Sequence, residues 1–462
     1  MPFAILPSRR TLQQWWQACS VYTEKRVLAI LFLGFSSGLP LALTFSTLSV
    51  WLSEEGVSKT SIGLFALTGI PYTFKFLWSP LIDQLSLPWL CQKWGRRRSW
   101  ALLTQVALLI SLLLLGFSQP NDNPLTTAGL ALLVAFWSAS QDIVIDAYRV
   151  EILQERQYGA GAAIYVLGYR LGMLLSGAGA LFLATYYGWT ITYTVMALFM
   201  GVGILTIVLN PEPQTHQQRG TVLHTTPVPL WFTAWCQLPG RRGRLMHWIA
   251  KAVIAPFSDF THREGWLIVL LFILFYKLGD SLAGVMSNPF YLELGFSKIE
   301  IATISKLFGL AATLLGSVVG GVMVSRLSIM KSLLYCGILQ MLSNLMFVVL
   351  AQSGHNLTAL TLTIAIENFS GGMGTSAFVA YLSSLCNIAY TATQYALLSS
   401  FMAFGRTLLA SMGGSLADQM SWTLFFLLTT VAALPGLALL WLMTRRFVAN
   451  PHSDQEQLDE PA

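Results

Sequence analysis

Charged residues are scarce in this sequence. Only 10% of its 462 residues are Asp, Glu, Lys or Arg, whereas soluble globular domains carry about 25%. Hydrophobic residues make up 55% of the chain, and the mean hydropathy is +0.61. This balance excludes an ordinary soluble protein and indicates an integral membrane protein.

Histidine and cysteine are also sparse, with six and five residues. The cysteines lack the spacing of a metal site, and we expect no disulfides because three of them fall on the cytoplasmic side of the topology given below. The histidines all fall in predicted loops, the linker or the tail, and no helix carries a nucleophile elbow or a metal-spaced cluster. These absences argue against an intramembrane enzyme, and we expect no metal and no other cofactor.

Long apolar runs fill most of the chain. A membrane-spanning helix needs about 20 mostly apolar residues, and twelve stretches meet this condition. We therefore predict an all-α membrane protein. Its spans, numbered 1 to 12, lie near residues 27–52, 61–84, 99–119, 125–148, 160–186, 189–209, 266–292, 298–325, 329–352, 357–385, 393–417 and 422–444.

The cations are distributed unevenly between alternate loops. With an even number of spans both termini share one side, and that side holds 20 of the 27 Lys and Arg residues, whereas the opposite loops hold Lys59 and Lys298. The positive-inside rule therefore places both termini in the cytoplasm. The net charge of +6 thus reflects topology and not nucleic-acid binding. The first 26 residues lack an apolar region before a small-residue cleavage site, so we expect no removable signal peptide.

A polar stretch divides the chain into two halves of six spans. It begins with NPEPQTHQQRG and contains the basic run GRRGRL, and we interpret it as a cytoplasmic linker, of which LMHWIAKAVIAPF is a candidate membrane-surface segment. The predicted organisation is a cytoplasmic or interfacial N-terminus (1–26), a first six-helix bundle (27–209), the linker (210–265), a second six-helix bundle (266–446) and a polar tail (447–462).

The two halves resemble each other. GVSKTSIG before span 2 corresponds to GFSKIEIA before span 8, 239 residues later, and Arg170 in span 5 has a counterpart in Arg406 of span 11. Two parallel six-helix repeats are a transporter architecture, with the substrate site between the repeats near the membrane midplane. Chance similarity of apolar helices is the alternative, but the matched charged and turn residues favour real repetition.

Cations inside the spans indicate the kind of solute. LLFILFYKLGDSLAG in span 7 carries Lys277 and Asp280, although a charge at the bilayer centre costs about 2.5–3.5 kcal/mol on insertion scales. Such residues face the bundle interior or a water-filled cavity, and five cations suit a pathway for a carboxylate- or phosphate-bearing solute. Internal pairing, for example of Lys277 with Asp280 or Asp142, is the alternative for each. The five are Lys75, Arg170, Lys277, Lys306 and Arg406.

Buried carboxylates are candidates for proton coupling, because such a group can load and release a proton. The candidates are Asp142, Asp146, Asp280 and Glu367. Asp142 and Asp146 lie four residues apart and so share a helix face. We favour Asp142, since Asp146 lies near the cytoplasmic end of span 4, where a salt bridge with Arg149 would act as a gate.

The loop after span 2, SPLIDQLSLPWLCQKWGRRRSW, combines Asp83 with Arg96, Arg97 and Arg98. It resembles the loop between helices 2 and 3 of the major facilitator superfamily, although the spacer from Asp83 to Gly95 is longer than usual. The resemblance implies that the aspartate pairs with basic residues and helix ends to hold one gating state. Simple topogenic charge is the alternative for the three arginines.

Seven stretches spread from residue 27 to 446 resemble the AmpG-type muropeptide permeases of Gram-negative bacteria, a family of that superfamily. They are GFSSGLPLALT, IGLFALTGIPYTFKFLWSPLID, SASQDIVIDAY, GAGAAIYVLGYRLGMLLSG, YKLGDSLAG, ENFSGGMGTSAFVAYLSSLCN and TQYALLSS. The resemblance implies a multi-pass, monomeric importer of GlcNAc-1,6-anhydroMurNAc peptides in the bacterial inner membrane. It further implies coupling to protons, and a place in peptidoglycan recycling and, in some species, in β-lactamase induction.

The resemblance also assigns roles inside the cavity, which the superfamily builds around spans 1, 4, 7 and 10. The five intramembrane cations would contact peptide carboxylates. Sugar hydroxyl and acetamido groups would contact Ser140, Gln141, Tyr276 and Asn368. A carrier of another organic anion, such as acetyl-CoA, is the alternative, because a phosphate-rich substrate also needs cations.

Overall fold

The computed structural model describes residues 20–57, 65–213, 246 and 248–447, and this part of the chain is helical without strands. It forms two units. The first comprises the described residues up to His262 together with Leu382–Ser400, and the second comprises Arg263–Tyr381 and the described residues from Phe401 onward. Most of the predicted N-terminal segment, linker and polar tail lie outside the described residues.

Helices of very different length make up the N-terminal part of the chain. They are α1 (Lys25–Thr44), α2 (Ser46–Glu54), α3 (Ile70–Phe74), α4 (Ser79–Gln84), α5 (Leu90–Trp94), α6 (Arg96–Gly116), α7 (Pro124–Ile152), α8 (Tyr158–Leu174), α9 (Ala180–Phe199), α10 (Gly201–Leu209) and α11 (Ala255–Thr261). Single 3₁₀ turns lie at Val21–Thr23, Ala66–Gly69, Lys75–Leu77 and Glu155–Gln157, and π turns lie at Leu175–Gly179 and Ala250–Ile254.

The C-terminal part continues in the same way. Its helices are α12 (Trp266–Phe275), α13 (Leu278–Glu293), α14 (Lys298–Glu300), α15 (Gly309–Leu327), α16 (Ile329–Ser353), α17 (Leu357–Ser384), α18 (Thr391–Gln419), α19 (Trp422–Ala432) and α20 (Leu434–Phe447). A π-helical segment, Ile301–Phe308, precedes α15, and a 3₁₀ turn, Ile388–Tyr390, precedes α18.

Among the described residues, eight helical stretches are long and apolar enough to cross a membrane. They coincide with nine of the predicted spans, because the stretch Glu155–Leu209 contains both span 5 and span 6. Gly188 interrupts this stretch with φ 76° and ψ 170°, a conformation open to glycine, between the two predicted spans. Spans 10 and 11 fall on α17 and α18, and the count of twelve stays a prediction.

Several spans that the sequence predicts as single helices are broken in the structure. Span 2 is described from residue 65 as a series of short helices, and Pro71 and Pro80 each lie in the first turn of one, where the missing N–H does no harm. Span 7 breaks between α12 and α13, where Lys277 has φ −103° and ψ 12°. Irregular backbone at membrane depth is tolerated where protein or a water-filled cavity satisfies it.

Glycine permits α1 to pack closely against α8. A Cβ added at Gly38 would collide with the carbonyl oxygen of Tyr169, and one added at Gly168 would collide with that of Leu31. Lipid tails are as apolar as leucine, so helices in a bilayer associate through close packing and not through the hydrophobic effect. In the second unit Gly316 of α15 approaches the carbonyl of Phe369 on α17 in the same way.

We expect Gly168→Ala to destabilise the protein, because overpacking a tight contact costs about 1–3 kcal/mol. Gly129→Ala is the matched control, since Gly129 is a helical glycine with open space around its Cβ position. Thermal unfolding in detergent should show a lower midpoint for Gly168→Ala than for Gly129→Ala. Equal midpoints would contradict the packing argument.

Candidate functional site

Helix α7 carries Asp142 and Asp146, the two carboxylates of the first unit that the sequence suggests for proton coupling. It begins at Pro124, and the Asn123 side chain accepts a hydrogen bond from the Thr126 N–H at 3.0 Å, an arrangement that satisfies a free N–H of the first turn. Nearly three turns before its end, Asp142 accepts a hydrogen bond from the Ser37 hydroxyl of α1. The Ser37 hydroxyl also lies 3.0 Å from that of Tyr165.

Asp146 forms ion pairs with two cations. Its carboxylate lies 3.8 Å from the Lys75 ammonium and 3.2 Å from the Arg149 guanidinium. Arg149 also donates a 2.7 Å hydrogen bond to the Tyr395 hydroxyl. All three charged side chains are buried, where a charge without a partner would be strongly destabilising. Internal pairing therefore holds for Lys75, and the expected contact between Asp146 and Arg149 is present.

The charged pair of span 7 lies at the break between α12 and α13. The Lys277 ammonium is 3.4 Å from the Asp280 carboxylate and donates a 3.0 Å hydrogen bond to Oε1 of Gln340 on α16. The two charged side chains remain 19% and 21% exposed. Pairing with Asp280 thus explains how the chain tolerates Lys277 inside a predicted membrane span. Because its side chain is partly exposed, the ammonium remains accessible to a ligand.

Of the other predicted charged residues, the structure describes the side chains of Arg170 and Glu367. Arg170 is exposed and has no ion-pair partner among the described residues; it lies two residues from both Gly168 and Gly172, which contact α1, and so on the opposite face of α8. Glu367 is partly buried. The side chains of Lys306 and Arg406 lie outside the described part of the chain.

The four predicted sugar contacts have hydrogen-bond partners within their own units. Trp78 donates to Ser140 (3.0 Å), Gln141 donates to the carbonyl of Ser36 (3.0 Å), Tyr276 donates to the carbonyl of Leu333 (2.9 Å), and Asn368 accepts from Thr313 (2.9 Å). Three of the four, Ser140, Gln141 and Tyr276, are buried. These side chains connect neighbouring helices, and their sugar contacts stay a prediction.

A buried ionic network follows span 2. The Arg97 guanidinium lies 2.7 Å from the Asp83 carboxylate and 2.5 Å from the Glu151 carboxylate at the end of α7. Asp83 and Arg97 are 0% and 1% exposed, so neither charge has water to solvate it. Two carboxylates around one guanidinium are a charge-assisted arrangement with strong hydrogen bonds.

Asp83 also binds the start of α18. It accepts hydrogen bonds from the N–H and the hydroxyl of Thr393, both at 2.7 Å, and from the N–H of Ala392 at 3.3 Å. The first N–H groups of a helix lack intrahelical partners and carry partial positive charge. The implied contact of this aspartate with a basic residue and a helix end is therefore present in the structure.

Each arginine of the GRRR run has a defined partner. Arg96 donates to the Asp83 carbonyl at 2.5 Å, and Arg98 donates to the carbonyls of Ile207 and Val208 in the last turn of α10. Glu212 accepts from the N–H groups of Arg97 and Arg98 at 2.8 and 3.0 Å. Burial raises the pKa of Glu212 above its ordinary value, although these two hydrogen bonds oppose the rise. The arginines thus stabilise contacts with Asp83 and with the end of α10, in addition to any topogenic role.

A second polar network joins α11 to the start of α18 and to Asn387 just before it. Asp259 accepts hydrogen bonds from Asn387 at 3.0 Å and from Gln394 at 2.8 Å. The Gln394 amide oxygen in turn accepts from the N–H of Asn387 at 2.7 Å. The sequence analysis predicted neither Asp259 nor three residues of the network around Asp83 and the GRRR run, namely Glu151, Glu212 and Thr393. For Glu151 a signal exists, since it is a third acid on the helix of Asp142 and Asp146.

We expect Asp83→Asn to loosen the segment Leu382–Ser400, because it removes the charge that binds both Arg97 and the start of α18. Removing one partner of a buried ion pair costs about 3–5 kcal/mol where the other charge is left uncompensated. Arg97 keeps Glu151 as a partner, so the loss falls mainly on the contact of Asp83 with α18. The measurement uses a variant in which Cys386, a partly buried residue of this segment, is the only cysteine that remains. Asp83→Asn should make a thiol reagent label Cys386 at least tenfold faster than in the same variant with Asp83 intact. Asp122→Asn, at an exposed position, is the control. An unchanged rate for Asp83→Asn would contradict the proposed hold on this segment.

Sequence comparison identifies relatives along most of the chain. A family model described as Major Facilitator Superfamily matches residues 30–353 and 269–461. The anhydromuropeptide permease of Escherichia coli K12 is 41% identical over 426 residues, which cover 92% of this chain and 81% of that protein. Putative transporter AmpG 4 of Rickettsia conorii is 37% identical over 430 residues, covering 92% and 98%.

Two solved structures share the arrangement of helices. The E. coli fucose:proton symporter FucP superposes with a TM-score of 0.64 at 12% identity, covering 92% of this chain and 99% of that one. The proton:xylose symporter XylE gives 0.60 at 12% identity, covering 94% and 96%. At this level of identity the likeness establishes the fold alone.

Proposed function

This chain belongs to the AmpG-type permeases of the major facilitator superfamily, multi-pass membrane transporters and not enzymes, and on this premise we propose that it imports GlcNAc-1,6-anhydroMurNAc peptides for peptidoglycan recycling. The observation that carries the substrate class is the match along 92% of the chain to a relative named anhydromuropeptide permease. The intramembrane cations support it, since a muropeptide presents several carboxylates.

The proposed topology has twelve spans in two six-helix bundles, 27–209 and 266–446, with both termini in the cytoplasm of a bacterium and the spans in its inner membrane. The asymmetry of Lys and Arg between alternate loops supports this orientation. The protein works as one chain. Muropeptide that it delivers would feed wall recycling and, in hosts that sense it, β-lactamase induction.

Lys277 is the best supported contact for a peptide carboxylate. Its ammonium is partly exposed and contacts one carboxylate and one neutral amide. A single negative charge therefore opposes the positive charge of the lysine. Arg170, whose side chain is exposed, offers a planar fork that suits a carboxylate. Lys75, Lys306 and Arg406 complete the proposed set. The sugar contacts proposed for Ser140, Gln141, Tyr276 and Asn368 rest on the family resemblance.

Asp142 is the preferred proton carrier. It accepts a hydrogen bond from Ser37 and has no ion pair among the described residues, whereas Asp146 pairs with two cations and Asp280 with one. A carboxylate without a paired cation can take up a proton without breaking an ion pair. Asp146, Asp280 and Glu367 are the remaining proposed members of the coupling set.

Alternating access requires the cytoplasmic contacts to break and form again in each cycle. The bonds of Asp83 to Arg97 and to the start of α18, together with the contact of Arg149 with Tyr395, are the proposed gate. Because Asp83 binds Arg97 and α18 at once, losing one contact weakens the alignment of the other. The gate would therefore open as a unit.

We expect proteoliposomes that contain the purified protein to take up labelled GlcNAc-anhydroMurNAc-tetrapeptide saturably, and faster with an inward proton gradient. Protein-free liposomes are the control, and acetyl-CoA is tested as a competing anion. Folded protein that transports acetyl-CoA but no muropeptide would overturn the substrate class. Muropeptide uptake that ignores the gradient would overturn the coupling.

We expect Asp142→Asn to reduce gradient-driven uptake at least tenfold, because an amide cannot carry the proton. Exchange of labelled for unlabelled muropeptide at equal pH should persist, since binding and alternating access remain. The exposed Asp122→Asn substitution should leave both rates near wild type. Gradient-driven uptake at the wild-type rate in Asp142→Asn would assign the coupling to another carboxylate.

A further inference from the structure

The surroundings of Lys277 include a residue that no pattern in the sequence marks as functional. Gln340 lies on α16, 6% exposed, and its Oε1 accepts the shorter of the two hydrogen bonds from the Lys277 ammonium, 3.0 Å against 3.4 Å to Asp280. An ammonium has three N–H donors. The described residues supply acceptors for two, which leaves one donor for a ligand.

The chemical nature of the two acceptors differs in a way that matters for anion binding. Asp280 carries a negative charge and offsets that of the lysine, whereas the amide of Gln340 accepts a hydrogen bond and adds no charge. A neutral acceptor can therefore fix the ammonium in position without weakening its attraction for an anion. Held by two carboxylates, the same ammonium would sit in a net negative site that repels an anion.

Helix α17 leaves room for this contact. A Cβ added at Gly374 would lie 2.5 Å from Oε1 of Gln340 and 3.3 Å from the Lys277 ammonium, and one added at Gly371 would lie 3.6 Å from Nε2 of Gln340. Gly372 faces a different neighbour, since its Cβ would collide with the Thr313 carbonyl of α15. The SGGMG stretch thus uses Gly372 for helix packing and Gly374 for the amide of Gln340, whereas a Cβ at Gly371 would make only an ordinary contact.

We propose that Gln340 is a positioning residue that presents the Lys277 ammonium to an anionic group of the substrate, and that Gly374 keeps the space this contact needs. The proposal rests on the proposed function, in which Lys277 meets a peptide carboxylate. Gln340 would contribute to selectivity for anions because its side chain carries no charge. Carboxylate recognition then depends on the triad of Lys277, Asp280 and Gln340.

The test compares Gln340→Glu, which keeps the shape and adds a charge, with Gln340→Met, which removes the acceptor. Gln352→Glu is the matched control, because Gln352 lies exposed on the same helix. Uptake is measured for the tetrapeptide substrate and for an analogue whose peptide carboxylates are carboxamides. We expect Gln340→Glu to raise KM for the anionic substrate at least tenfold, with little change in maximal rate or in KM for the carboxamide analogue.

Gln340→Met should raise KM for the anionic substrate by a smaller factor, because the ammonium keeps its charge but loses its position. Gly374→Ala should resemble Gln340→Met, and it serves as the second test if the glutamate variant does not fold. Equal losses of maximal rate for both substrates would show a merely structural role and overturn the proposal, as would unchanged KM values. Absence of uptake by the wild-type protein would instead count against the proposed function itself.

Discussion

Charge buried without water must be neutralised by the protein itself, and the Arg97 guanidinium is where this constraint is most concentrated. It is surrounded by Asp83 and Glu151, and Asp83 passes the connection on to the first N–H groups of α18. The end of span 2, the end of α7 and the start of α18 are therefore held by one set of charges. Removing Arg97 would leave two buried carboxylates without their cation, and removing Asp83 would release the start of α18.

The same constraint shapes the two smaller clusters inside the spans. Asp146 is shared by Lys75 and Arg149, whereas Lys277 is shared by Asp280 and a neutral amide. The first cluster is buried and internally paired, so it is suited to hold structure. The second is partly exposed, and its ammonium has a third N–H donor that no described residue uses, so this cluster is suited to meet a ligand. Similar residues thus serve different purposes according to how fully their partners satisfy them.

Much of this architecture is readable in the sequence, because membrane spans and rare intramembrane charges stand out against an apolar background. The positions of α6, α7 and α16 and the contact of Asp146 with Arg149 follow from length, hydropathy and helical spacing. The breaks in span 2 and span 7 do not, since prolines in a first turn and a lysine between two helices leave the apolar pattern unchanged. The pairing of Lys277 with Asp280 was one of the alternatives that the sequence offered, whereas the pairing of Lys75 with Asp146 and the hydrogen bond of Lys277 to Gln340 were out of its reach. Gln340 and Asp259 illustrate the reason. The role of a single polar residue depends on the side chains of a helix that is distant in the sequence and packs against it.

The segment Leu382–Ser400 lies late in the chain but belongs to the first unit. During synthesis, Asp83, Arg149 and Asp259 therefore leave the ribosome long before Thr393, Tyr395 and Gln394, their partners. The first six spans and the linker are therefore inserted or synthesised before Asp83, Arg149 and Asp259 have all their hydrogen-bond partners. Those partners arrive only when most of the polypeptide has been made. Maturation of the N-terminal half is thus a late event of biogenesis, and a chain that stops short of this segment would leave the groups that bind it without these partners.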